Sequence, residues 1–233
     1  MASTLHALGP DLFTFEGEVA LPGMRLPARC TVMRLPDGGL VLCSPLAIDD
    51  ALAGDLAALG PVRWLVAPNL LHHLFLAPAQ VRFPDARTLG APGLSAKRAD
   101  LRFDGVLGEG DPFAGAIDAQ LVGGMPRVNE IALFHRPSRT LVLTDLLFNV
   151  RSSPHFSTRL LMSVVSGVYG RCAVSRMIRW MVDDRAAAAG SLERVLAWAP
   201  ERLVVAHGDP VESDVTPLLE RELAWFFRGR ARA

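Results

Sequence analysis

Thr140-Leu141-Val142-Leu143-Thr144-Asp145 is a β-branched and aliphatic run that stops on a carboxylate. Two other runs stop in a comparable way. Arg63-Trp64-Leu65-Val66-Ala67 leads into Pro68-Asn69 and then His72-His73, and Arg202-Leu203-Val204-Val205-Ala206 leads into His207-Gly208-Asp209-Pro210. Carboxylate and imidazole groups delivered just past the carboxyl ends of buried strands describe a site. In layered α/β folds such strand ends line one rim of the sheet, where ligands and metals bind. The second run brings two adjacent histidines, His72 and His73, to that rim.

The elements that would carry these residues follow from periodicity. Asp11 to Val19 alternates apolar and polar residues as a half-buried strand does. Arg29 to Leu35 and Leu40 to Cys43 flank Pro36-Asp37-Gly38-Gly39, a tight reversal. Ile48, Leu52, Leu56 and Leu59 share one helical stripe that Gly60-Pro61 ends. Pro78 limits a short helix at Leu74 to Leu76, and Thr88-Leu89 and Ala119 to Val122 read as brief strands. Asn129 to His135 and Thr140 to Asp145 form a hairpin through Arg136-Pro137-Ser138-Arg139. That pairing sets His135 across from Thr140 and Asn129 or Glu130 across from Asp145. Phe156 to Val168, Val174 to Val182 and Ala186 to Trp198 read as helices. Thr216 caps and Pro217 opens a last one.

The bulk numbers exclude several classes. Residues 1–233 read as one domain with a substantial core. Half of them are hydrophobic, yet the nearly uncharged stretch from Leu160 to Gly170 is far short of the ~20 residues a membrane span needs. The start of the chain has no basic region followed by an apolar run, so a cytoplasmic protein is expected. Zero formal net charge favours neither nucleic acid nor an anionic membrane. All basic residues but Lys97 are arginine, a bias that fits a GC-rich bacterial genome. Cys30, Cys43 and Cys172 suit neither a disulfide framework nor a zinc knuckle, and sit among apolar neighbours as reduced core residues. There is no serine nucleophile elbow, phosphate loop or dinucleotide fingerprint.

Taken together, a strand followed by a ligand-rich loop, a hairpin strand ending in Asp, and a near-C-terminal strand ending in His-Gly resemble the metallo-β-lactamase superfamily. The resemblance spans most of the chain. Ala67-Pro68-Asn69 before His72-His73, Asn129-Glu130, and Thr144-Asp145-Leu146-Leu147-Phe148-Asn149 are similar in particular to an uncharacterised branch of it, known as domains of unknown function. The resemblance implies an α/β (α+β) fold, a four-layer αββα sandwich. Matching the superfamily signature His-x-His-x-Asp-His to this chain puts Pro68, Leu70, His72 and His73 at its four ligand positions. The loop that brings the next histidine matches Gly124-Met125-Pro126-Arg127, which has none. One metal position is therefore erased. The other falls on His72, His73, Asp145 and His207, a ligand set suited to one Zn²⁺ or Fe²⁺ ion, or to none if the site has decayed.

Each of these residues also has a plainer reading. One of His72 and His73, in the apolar run Leu70 to Leu76, can be a hydrogen-bonded core residue. Asn69 can cap that segment. Asp145 can accept backbone N–H bonds where its strand ends, and His207-Gly208 can be only a turn. Arg127, Asn129, Glu130 and Asn149 lie near Asp145 in the hairpin reading and would orient ligands or meet substrate; Arg151 is a weaker candidate. His135, roughly 17 Å along its strand from the Asp145 end, is structural, and His6 and His155 are surface residues.

Three functions follow as expectations. The first is a mononuclear metal-dependent hydrolase of an unidentified small molecule, inactive on β-lactams. A second is a non-catalytic descendant that binds a small molecule or partner at the rim. A third is redox chemistry with iron.

Overall fold

The computed structural model describes residues 4–228. The first three residues, part of the segment read above as lacking a secretory signal, lie outside that range. Two sheets stack face to face. The first holds β1 (His6–Gly9), β2 (Leu12–Leu21), β3 (Met24–Arg34), β4 (Leu40–Cys43), β5 (Val62–Ala67), β6 (Arg87–Gly90) and β7 (Gly105–Val106), in that order. The second holds β8 (Ile117–Leu121), β9 (Ile131–His135), β10 (Thr140–Leu143) and β11 (Arg202–Val205), ordered β11-β10-β9-β8.

Strand alternation sorts the core into layers, because successive side chains point to opposite faces. Val41 and Cys43 of β4 turn inward with Met33 and Val66, and meet Leu133, Val142 and Val204 of the second sheet. Leu40 and Leu42 turn outward onto α1 (Asp50–Leu59), α2 (Leu76–Arg82) and α3 (Leu94–Lys97), burying Leu52, Leu56, Leu76 and Leu94. The second sheet's outer residues, Leu141, Leu143, Leu203 and Val205, pack against α5 (Arg176–Trp180), α6 (Arg185–Ala197) and α7 (Val215–Phe227). The result is the expected αββα sandwich. Among the described residues no helix is long and apolar enough to cross a membrane.

Local chemistry sets the helix starts. Asp49 accepts from the Leu52 N–H at 2.9 Å, and Asp184 accepts from Ala186 and Ala187, satisfying donors that have no intrahelical partner. The hairpin register agrees with the sequence reading, His135 pairing with Thr140.

Several boundaries differ. The strands read as ending at Val19 and starting at Arg29 extend toward each other into an unexpected β2–β3 hairpin, paired continuously from Leu12↔Met33 to Leu21↔Met24. Asn129 has φ 48°, so β9 starts only at Ile131. Pro78 does not limit a helix but lies in the first turn of α2, and Pro217 sits likewise in α7, whose cap is Asp214 rather than Thr216. First-turn N–H groups bond to nothing within the helix, so proline costs little there. The helix from Phe156 is not uniform: α4 (Phe156–Leu161) widens into a π-helical turn, Met162–Ser166, that closes on Gly167 with φ 70°. Only Arg176–Trp180 of the stretch expected from Val174 to Val182 is helical.

Candidate metal centre

Four strands end at one rim of the sandwich. β4 and β5 run parallel in the first sheet, β10 and β11 run parallel in the second, and their carboxyl ends deliver Ser44, Asn69 with His72, Asp145, and His207. His72 Nε2 is 3.2 Å from Asp145 Oδ2, His207 Nε2 is 3.5 Å from Asp145 Oδ1, and the two Nε2 atoms are 3.2 Å apart. Among the described residues this is the one group of three or more His, Cys, Asp or Glu able to converge on an ion.

The far side of each ring fixes its orientation. His207 Nδ1 donates to the Pro27 carbonyl at 2.9 Å; a carbonyl only accepts, so Nδ1 carries a proton and Nε2 is the ring atom turned toward Asp145. The ring stacks on Phe148 with centroids 5.1 Å apart. Gly208 makes the next bend at φ 110°, where a Cβ would lie 2.1 Å from the Asn149 carbonyl oxygen. The buried Arg29 guanidinium donates to the Gly208 carbonyl at 3.1 Å and pairs with Glu16. His72 Nδ1 meets Ser44 Oγ at 2.5 Å, which turns its Nε2 toward Asp145 as well.

Asn69 braces the opposite wall. Its Oδ1 accepts from the Leu71 and His72 N–H groups, both at 2.8 Å, which is the capping role its type predicts. Its Nδ2 donates to Asp145 Oδ2 at 2.6 Å and Thr144 Oγ1 at 3.0 Å. One side chain therefore joins the first sheet's loop to the second sheet's carboxylate. Glu130, fully buried, accepts from the N–H groups of Thr144, Asp145 and Leu146 at 2.8–2.9 Å and so holds the turn after β10. Burial and then the Asp145 charge raise its pKa, against those three bonds. Burial also opposes ionisation of Asp145, but the charge and hydrogen bonds of His72 and His207 hold its carboxyl well below the usual range.

The remaining sequence candidates do not meet the cluster. His73 leaves the expected ligand set: its Nδ1 lies 2.7 Å from Arg98 Nη1, and burial with the Lys97 and Arg98 charges lowers its pKa. Adjacent residues in an irregular turn diverge, and the Asn69 cap aims His72 inward. Arg127 pairs with Asp183 and covers the Trp180 ring. Asn129 donates to the Pro92 carbonyl. Asn149 holds the His207 loop, its Nδ2 donating to the Asp209 carbonyl and its backbone N–H to that of His207. His135 is buried against Ser138 at the far end of the hairpin, and His155 pairs with Glu18 at the surface. Ser44, Arg29 and the Pro27 carbonyl were missed. Ser44 follows a strand directly, so the rule that found Asp145 applies to it equally.

The donor set fits a single transition-metal ion. Atoms 2.0–2.1 Å from a tetrahedral zinc are separated from one another by roughly 3.3–3.4 Å, close to the 3.2–3.5 Å found between these nitrogen and carboxylate atoms. Both imidazoles are also anchored through their second nitrogen, as ligating histidines are.

Fold and site together define the class: this is a metallo-β-lactamase-like sandwich. A metallo-β-lactamase from Hirschia baltica superposes with a TM-score of 0.65 at 11% identity, covering 99% of this chain and 100% of that one. Another from Pontibacter korlensis gives 0.65 at 12%, covering 97% and 99%. The metal-soaked Flv1 flavodiiron core from Synechocystis gives 0.64 at 10%, covering 97% of this chain and 60% of that one. No curated protein matches the sequence. The model of the family described as "Domain of unknown function (DUF4336)" matches residues 10–165, and the chain belongs to that family.

Proposed function

We propose that the protein is a mononuclear metal-dependent hydrolase acting on a small molecule, with His72, Asp145 and His207 as the metal ligands. The observation that carries this reading is the convergence of His72 Nε2, His207 Nε2 and the two oxygens of the Asp145 carboxylate, with separations of 3.2–3.5 Å. Bound there, a divalent zinc or iron ion would supply Lewis acidity, polarising an ester or carbonyl oxygen and acidifying a water molecule.

The chain's own groups prepare the site for that role. The Pro27 carbonyl and Ser44 fix the two rings, so neither imidazole has to reorient to offer Nε2. Asn69 holds Asp145 through Oδ2, and Glu130 fixes the backbone that carries it. Three protein ligands leave a coordination position open, which is the pattern of catalytic rather than structural zinc sites. Pro68 and Leu70 provide no ligands for a second ion.

Protein purified without chelator should contain about one transition-metal ion per chain and hydrolyse simple carboxylic esters, and His207→Ala should lose both. Metal-free protein that takes up neither Zn²⁺ nor Fe²⁺ would replace this reading with a binding module. The loss of the ligands at Pro68 and Leu70 is the observation favouring that alternative.

A further inference from the structure

The triad forms part of the wall of a cavity of about 460 Å³, within the size range of small-molecule sites. Its walls come from distant parts of the chain. Val19, Leu21, Met24 and Leu26 of the β2–β3 hairpin supply one side, and Leu161, Met162 and Val165 of α4 and its π-helical turn supply the other. Leu71, Leu74 and Phe75, from the loop carrying His72, complete it with Phe148 and Met177. π-helical turns recur at functional sites, and this one projects Met162, Val165 and Ser166 toward the space above the triad.

The polar content of the wall is small and mostly engaged. Ser44 is held by His72, His73 by Arg98, and the Lys97 amine donates to the Leu70 carbonyl. Among the described residues no arginine lines the space. A phosphorylated substrate would find no bidentate partner. A sugar or peptide would bury hydroxyl or amide groups without hydrogen bonds, which disfavours its binding. Apolar exposure is also concentrated at the mouth. Of the eleven large apolar side chains exposed among the described residues, Leu21, Leu71, Leu74, Val165 and Met177 all border this cavity. Patches of this kind mark binding sites.

From this arrangement we propose that the cavity takes the hydrocarbon chain of an uncharged acyl ester or lactone, placing its carbonyl carbon at the triad. The inference rests on the hydrolase reading for the reaction, though not for the binding. In that reaction a water oxygen bonds to the acyl carbon and the C–O bond to the alcohol breaks. One water proton passes to the departing alkoxide oxygen, and the products are a carboxylic acid and an alcohol. The wall supplies what the chain needs, a largely aliphatic surface, with the triad's polar atoms gathered at one part of it.

Binding is measured by calorimetry with the non-hydrolysable series 2-pentanone to 2-undecanone, on chelator-treated protein. Each added methylene should tighten Kd about three- to fourfold, until the cavity is full. Val165→Asp and Leu21→Asp, both at partly exposed positions that tolerate charge for folding, should weaken the longer ketones at least tenfold. Val19→Trp should move the plateau to shorter chains, whereas Val81→Asp, exposed and outside the cavity, should change nothing. Affinity independent of chain length, or unaffected by Val165→Asp and Leu21→Asp, overturns the proposal. The two readings separate cleanly. Chain-length-dependent binding without metal uptake or ester turnover keeps this inference and removes the hydrolase; metal uptake and turnover with no chain-length dependence does the reverse.

Discussion

The Nε2 atoms of His72 and His207 face each other across 3.2 Å, although the residues come from different sheets and are separated by most of the chain. Two imidazole nitrogens at that distance repel unless a proton or a cation lies between them. Each is held there through its other nitrogen, His207 by the Pro27 carbonyl and His72 by Ser44. The sandwich thus keeps an electron-rich point ready beside Asp145.

A first prediction separates the adjacent histidines. His72→Ala, Asp145→Ala and His207→Ala should each abolish binding of the single ion, while His73→Ala and His135→Ala should leave stoichiometry unchanged. The wild-type protein should gain about 2.7 kcal/mol of stability at a hundredfold excess of Zn²⁺ over Kd. Elemental analysis with thermal melts reads both quantities, and loss of the ion in His73→Ala would show that the loop rearranges on binding.

Asn69→Ala removes two acceptor contacts and two donor contacts at one buried position. Stability should fall by about 2–3 kcal/mol in urea unfolding, and metal affinity by 10- to 100-fold. Asn69→Asp keeps the cap but places a second charge beside Asp145, so metal-free Asn69→Asp should remain destabilised.

His135 gives the pH dependence a measurable component. Burial lowers its pKa to about 4, against about 6.5 in the unfolded chain. The unfolded state therefore binds the proton first as pH falls. Stability should be fully present above pH ~6.5 and decline between about 6.5 and 4, by up to roughly 3 kcal/mol. His135→Gln should flatten that part of the stability–pH curve; an unchanged slope would assign it to other groups.

Turnover of a chromogenic cephalosporin should be absent or negligible even in the zinc-loaded protein. With Pro68 and Leu70 at two ligand positions, no second cation is available to stabilise an oxyanion there. Steady-state assays at high enzyme concentration test this directly.

Much of this was determined by the sequence alone. β-Branched runs ending on Asp145 and His207 mark strand ends because side-chain period and turn chemistry are local properties, and the His135–Thr140 register follows from hairpin geometry alone. The choice between His72 and His73 was not local: backbone angles in an irregular turn, set by the Asn69 cap and by Ser44 across the loop, decide which ring points inward. Arg127 and Asn129 were misplaced for a related reason, since an ion pair with Asp183 and a bond to Pro92 outweigh sequence proximity to Asp145. Only the tertiary structure could assemble the cavity. Val19, Leu26, Met162 and Met177 carry no mark of a binding site one by one, and become a wall when the β2–β3 hairpin and the segment after α4 are brought over the same rim.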